Sequence, residues 1–185
     1  MWKTNIYIIF LWLVLLGVAC KNSEKKSTYP AIDVVGYLKG QLKTLDSTPY
    51  GLLKVTEVPG KNPDSTYLNK VSLREHLTPF MIPSIAKEQL ELKYRETSFA
   101  DASIGYVVIT YQAKDRDAPV SQIDVYIKPE NNSIYQIYIS GDLGSADQEE
   151  KKQLLWTHNK GCVIITGYDN DTTEKSTITE KIIWQ

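Results

Sequence analysis

Histidine and cysteine are nearly missing from this chain of 185 residues, with two of each. His76 and His158 have no second ligand at metal-like spacing, so a zinc site is not expected. Two cysteines, Cys20 and Cys162, cannot build a disulfide framework, and a hydrophobic core must hold the fold. Clustered charge is lacking too. The 21 basic and 22 acidic residues alternate along the chain, which argues against a nucleic-acid partner, because a phosphate-tracking surface needs its cations gathered together. No cofactor motif and no internal repeat is present, so no cofactor is expected. No apolar run reaches the ~20 residues a helix needs to span a bilayer.

What is there begins at the amino end. Met-Trp-Lys-Thr-Asn leads into residues 6–19, which carry no charge and end Gly17-Val18-Ala19 before Cys20. A basic start, a short apolar segment and small residues form a secretory signal peptide. Small residues directly before a cysteine resemble the lipobox of bacterial lipoproteins. The family usually has Leu three residues before the cysteine, where this chain has Gly17, with Leu16 one position further back.

The resemblance covers only the signal, residues 1–19. It implies that the Cys20 thiol takes a diacylglycerol, that the chain is cut before Cys20, and that the new amine takes a further palmitate-type acyl chain. Two or three chains make a stable lipid anchor, since each buried methylene adds about 0.8 kcal/mol. Lys21 follows Cys20 where an aspartate would favour inner-membrane retention, so the resemblance implies an outer membrane. The alternative is a secreted protein whose Cys20 is an unmodified thiol past an Ala-x-Ala-like site. Removing residues 1–19 takes away only Lys3, leaving 20 basic against 22 acidic residues. Residues 20–29 are polar and read as a flexible tether.

Residues 30–185 read as a single α+β domain. Ile32, Val35, Leu38, Leu42 and Leu45 recur at spacings of three and four, which predicts a helix closed by Asp46-Ser47-Thr48-Pro49. A hairpin is expected over 53–71, with a turn at 59–64. Ser72 and Glu75 have capping-box spacing and predict a short helix to Phe80. Another helical turn or two is expected over 85–89, and the alternation of Leu90, Leu92 and Tyr94 then suggests a strand. Beyond that the pattern is strongly β, at 104–111, 121–128, 133–140, 152–157, 162–168 and 176–184. Short turns at 129–132 and 158–161 make these six an antiparallel meander. The expected architecture is an antiparallel sheet covered on one face by the helices of the first half.

Chemistry is scarce along this domain. Cys162 lies among Val and Ile and reads as a small buried side chain. Asp115 and Asp117 read as turn formers, and Asp169, Asp171 and Glu174 lack the glycine and distal Glu of a calcium loop. In 121–128, Ile123, Val125 and Ile127 share one face and Asp124, Tyr126 and Lys128 the other, which puts Tyr126 on the polar side. With Trp156 and Trp184 on that same side, the three would form an aromatic platform for sugar, lipid or peptide. The leading expectation is a non-enzymatic, lipid-anchored module binding an envelope protein or glycan. A carrier of hydrophobic ligands would need an empty apolar cavity. An envelope hydrolase would need His76 or His158 to meet a carboxylate and a nucleophile in one cleft.

Overall fold

The computed structural model describes residues 32–144, 150–168 and 176–184; Cys20, the signal, the tether and the acidic loop at 169–175 lie outside them. The described chain starts with α1, Val34–Ser47, whose buried side chains are Val34, Val35, Leu38, Leu42 and Leu45. Asp33 caps it by accepting from the Gly36 amide at 2.8 Å, which satisfies one of the free donors at a helix start. The helix stops at Thr48, held extended by Pro49. Strands β1, Leu52–Glu57, and β2, Asp64–Leu68, form the expected hairpin.

The second helix begins one turn earlier than the capping-box spacing suggests. Asn69 is its cap and accepts from the Ser72 amide at 2.8 Å, so α2, Lys70–Leu77, includes Ser72. Asn caps as well as Ser, and the earlier start lets both Leu73 and Leu77 turn inward. Two tight turns, Thr78–Phe80 and Pro83–Ile85, lead to α3, Lys87–Lys93. The strand expected over Leu90, Leu92 and Tyr94 is therefore corrected: only Tyr94 belongs to β3, Tyr94–Asp101. Leu90 is 1 % exposed and Leu92 69 %, opposite sides as two residues so spaced on a helical turn must be, whereas a strand would have turned both to one face.

From β3 the chain runs as a meander through β4, Tyr106–Ala113; β5, Val120–Lys128; β6, Ser133–Asp142; β7, Glu150–Thr157; β8, Gly161–Tyr168; and β9, Ser176–Trp184. All six expected C-terminal strands are present, with β3 added before them. The hairpin then joins the far side through β1 and β9, giving one antiparallel sheet of nine strands in the order β2-β1-β9-β8-β7-β6-β5-β4-β3. The described chain is thus mostly β. Asn132 and Asn159 take φ of 55° in the β5–β6 and β7–β8 turns, a conformation their short polar side chains tolerate.

One hydrophobic cluster joins Leu38, Leu42, Leu73, Leu77, Phe80 and Ile85 to Ile109, Ile123, Ile137, Leu154, Trp156 and Ile182. The strand residues fall in two adjoining rows, Ile109, Val125, Ile137, Trp156, Cys162 and Ile182 in one and Tyr111, Ile123, Ile139, Leu154 and Ile164 in the other, continued by Lys54 and Glu180, and so share one face of the sheet.

Candidate functional site

The second face of the sheet can be read from its register as rows crossing neighbouring strands. One row runs Tyr67, Leu53, Ile183, Gly161, Thr157, Gln136, Tyr126, Val108 and Phe99, each opposite the next, from β2 to β3. It holds no charge. Phe99 is 53 % exposed, Ile183 41 % and Tyr67 74 %, whereas Val108, between Tyr126 and Phe99, is buried. The row beside it runs Ser65, Val55, Lys181, Val163, Leu155, Tyr138, Asp124, Thr110 and Thr97. Its only charges are Lys181 and Asp124. Lys181 Nζ donates to Glu57 at 2.6 Å, and Asp124 accepts from Thr110 at 2.6 Å and Gln122 at 2.7 Å.

Tyr126 lies on this face, half-buried, as the alternation of β5 requires. Trp156 and Trp184 do not. They are 0 % and 7 % exposed, lie in the core cluster on the first face, and meet each other at 5.0 Å between ring centroids. The three-residue platform of Tyr126, Trp156 and Trp184 is thereby corrected. In the register Tyr138 stands diagonal to Tyr126 across β5 and β6, and Phe99 lies two strands away, beyond Val108.

A second aromatic group sits at the end of the same strands. The β5–β6 register shifts between Tyr126 and Ile127, leaving Tyr135 without a ladder partner. Tyr135 stacks on Tyr106 at 4.7 Å with the rings 6° apart, and Lys128 and Lys160 stand 5.7 and 5.9 Å from its ring. Cations at that distance from an aromatic face are held by its quadrupole.

Both histidines tie helices to the sheet. His158 Nδ1 shares a hydrogen bond of 2.9 Å with the Tyr37 hydroxyl of α1, and burial pushes that phenol up to about 12. His76 of α2 faces Glu180 of β9, Nδ1 to Oε2 at 3.4 Å, while Lys54 of β1 holds the other carboxylate oxygen at 2.8 Å. His76 and Lys54 together draw the Glu180 carboxyl down to about 2. Sequence reasoning missed Glu180 and Lys54, because 126 residues separate a pair that only the β1–β9 ladder brings together. Glu180 and His76 border a cleft of about 270 Å³ that Thr166 and Lys152 also line.

Among the described residues that cleft brings His76 and Glu180 together, and no thiol lines it. The nearest thiol, Cys162, is 4 % exposed and pushed up to about 12 by burial, with the Glu180 charge adding to the shift. A reactive cysteine needs the opposite setting, exposed and electropositive. A larger cleft of about 390 Å³ lies between Ser84, Lys93, Tyr94 and the β4–β5 loop, where the Asp117 amide donates to Asp115 in the expected turn. Its lining mixes charged and apolar groups. Among the described residues no three His, Cys, Asp or Glu side chains are placed to hold a metal ion.

No family model, no curated protein and no solved structure matches this chain.

The Glu180 group makes stability depend on acid. A carboxyl lowered from 4.5 to about 2 in the folded chain adds stability that is fully present above pH 4.5 and is lost as pH falls towards 2. After screening of a group partly open to water, the loss should be about 1–2 kcal/mol. Urea unfolding at pH 6 and pH 3 should show it, with Glu180→Gln less stable at pH 6 and less sensitive to acid. Equal acid sensitivity in the variant would assign the effect to other carboxylates.

Proposed function

We propose that this chain is a lipoprotein of the bacterial cell envelope, anchored by acylation of Cys20, whose domain is a non-catalytic binding module. In this reading the helices cover the first face of the sheet and leave the second open as the binding surface. The observation that carries it is the uncharged row from Tyr67 to Phe99, which crosses all nine strands. Soluble domains seldom expose large apolar and aromatic side chains such as Tyr67, Ile183 and Phe99 along one uncharged row unless something binds there. A protein or glycan partner suits the mixture of Tyr, Phe, Thr and Gln side chains.

The described clefts support binding over catalysis and over carriage. Among the described residues the Glu180 cleft brings His76 and Glu180 together with no thiol lining it, and neither cleft is lined by apolar groups alone. Among the described residues no helix is long and apolar enough to cross a membrane; the attachment proposed is the acylated Cys20. An outer membrane is the destination proposed, from Lys21.

The test is intact mass and membrane fractionation of the native protein beside Cys20→Ala. The expected result is acyl mass and pelleting for the native chain, and soluble or unprocessed material for the variant. A native chain that stays soluble at its unmodified mass would overturn the anchor.

A further inference from the structure

The second face has a symmetry of its own. Nine strands have a middle one, β7, fifth in the order from either edge. In the row that crosses it at Leu155, Lys181 lies on β9, two strands to one side, and Asp124 lies on β5, two strands to the other. The uncharged row is balanced in the same way: Tyr67 and Phe99 end it, and Ile183 and Tyr126 stand two strands either side of Thr157.

We propose that the second face is the interface of a homodimer, in which two copies pack sheet against sheet about a twofold axis parallel to the strands and passing over β7. Such an axis reverses strand order and keeps each residue at its own height along the strand. Lys181 of one protomer then meets Asp124 of its partner, and the pair occurs twice. Leu155 meets Leu155 on the axis, Ile183 meets Tyr126, and the ring of Tyr67 meets that of Phe99. A twofold axis perpendicular to the strands would instead set Lys181 against Lys181 and Asp124 against Asp124, so charge selects the parallel one.

The size of the face agrees. Nine strands about 4.8 Å apart, with the two rows above and the next one, which runs through Glu57, Thr179, Ile165, Gln153 and Ser140, give a footprint of about 40 by 20 Å. That is roughly 800 Å² from each copy, the contribution of one partner to a stable interface of standard size. Two like-twisted sheets pack face to face with their strands about 30° apart, so the axis inclines about 15° to β7, and the central strands β9 to β5 are in closest contact. Those strands carry the two charge pairs. Lys181 keeps Glu57 and Asp124 keeps Thr110 and Gln122 as neighbours, so each charge enters the interface already hydrogen-bonded. Such prior bonding reduces the penalty of removing it from water.

The inference rests on the second face being the binding surface, and is independent of the lipid anchor. It is tested by sedimentation and native mass spectrometry of the full chain in mild detergent, at about 100 µM, above the µM to pM range such an area spans. The native chain should have twice the monomer mass. Lys181→Glu sets Glu against Asp twice, and Asp124→Lys sets Lys against Lys twice, so each variant alone should self-associate about 100-fold more weakly. Mixed in equal amounts, the two variants place opposite charges at every site and should form the dimer again, which a misfolded variant could not do. A native chain that is monomeric, variants that still dimerise alone, or a mixture that stays monomeric would each overturn the proposal. Acylated but monomeric protein would remove the dimer and leave the anchor standing; dimeric protein without acyl mass would do the reverse.

Discussion

Gly141→Ala is expected to cost at least about 3 kcal/mol and to lower the unfolding midpoint by roughly 6–12 °C. A Cβ at residue 141 would lie 2.0 Å from the Pro119 carbonyl oxygen, 2.7 Å from Val120 Cα and 3.0 Å from the Pro119 carbonyl carbon. All three are backbone atoms, which cannot swing aside as a side chain would. Residue 120 is also pinned: its side chain is 0 % exposed, and its carbonyl accepts the Tyr94 hydroxyl at 2.9 Å. The β5–β6 register shifts immediately beyond, between Val120 and Gln122, so the two backbones close up where the ladder is irregular. Gly40→Ala gives the opposite sign. Nothing lies within 4 Å of a Cβ there, in the interior of α1, and alanine should stabilise by about 0.5–1 kcal/mol. Thermal unfolding followed by circular dichroism distinguishes the two, and an unchanged midpoint for Gly141→Ala would mean that β5 and β6 are further apart than described.

The close approach at Gly141 is invisible in the sequence, whereas the strands around it are plain. In β5 the apolar side chains Ile123, Val125 and Ile127 alternate with Asp124, Tyr126 and Lys128, and only one assignment of faces buries the first set. Tyr126 is therefore legible. Trp156 and Trp184 are not, because each strand end carries apolar residues of both parities: Leu154 and Leu155 before Trp156, Ile182 and Ile183 before Trp184. Either parity would bury something, and the choice is made by packing against α1 and α2 residues such as Leu38 and Leu77. The same limit explains α3, where Leu-Glu-Leu-Lys-Tyr satisfies a strand period over too few residues to exclude a helical turn. The capping-box spacing of Ser72 and Glu75 is a false signal, because Asn69 closes the helix start three residues earlier. The Glu180, His76 and Lys54 group depends on β1 pairing with β9, a contact between the two ends of the domain that no local pattern signals. The balance of the second face about β7 likewise emerges only once the hairpin has been placed beyond β9.

Trp156→Ala should destabilise the domain by about 3–5 kcal/mol, because it empties the largest fully buried side chain in the core. Trp156 stands opposite Ile137 on β6 and Cys162 on β8, with the ring of Trp184 tilted 44° against it. None of these neighbours is long enough to fill the space, and β7 is the central strand, held on both sides, so the site cannot collapse by moving backbone. Burial is what keeps the Cys162 thiol up at about 12, and a cavity beside it should admit water and a thiol reagent. Faster alkylation of Cys162 should therefore accompany the lower midpoint. Trp156→Phe separates volume from polarity. The indole Nε1 is buried without a hydrogen-bond partner, and an unsatisfied buried donor costs about 1–3 kcal/mol, a penalty phenylalanine would not incur. That relief offsets much of the lost volume, so Trp156→Phe is expected to stay within about 1 kcal/mol of the native chain. Denaturant unfolding of both variants decides the matter. A phenylalanine variant as unstable as the alanine one would mean that the indole N–H is satisfied after all, and that the core at β7 is held by a polar contact and not by packing alone.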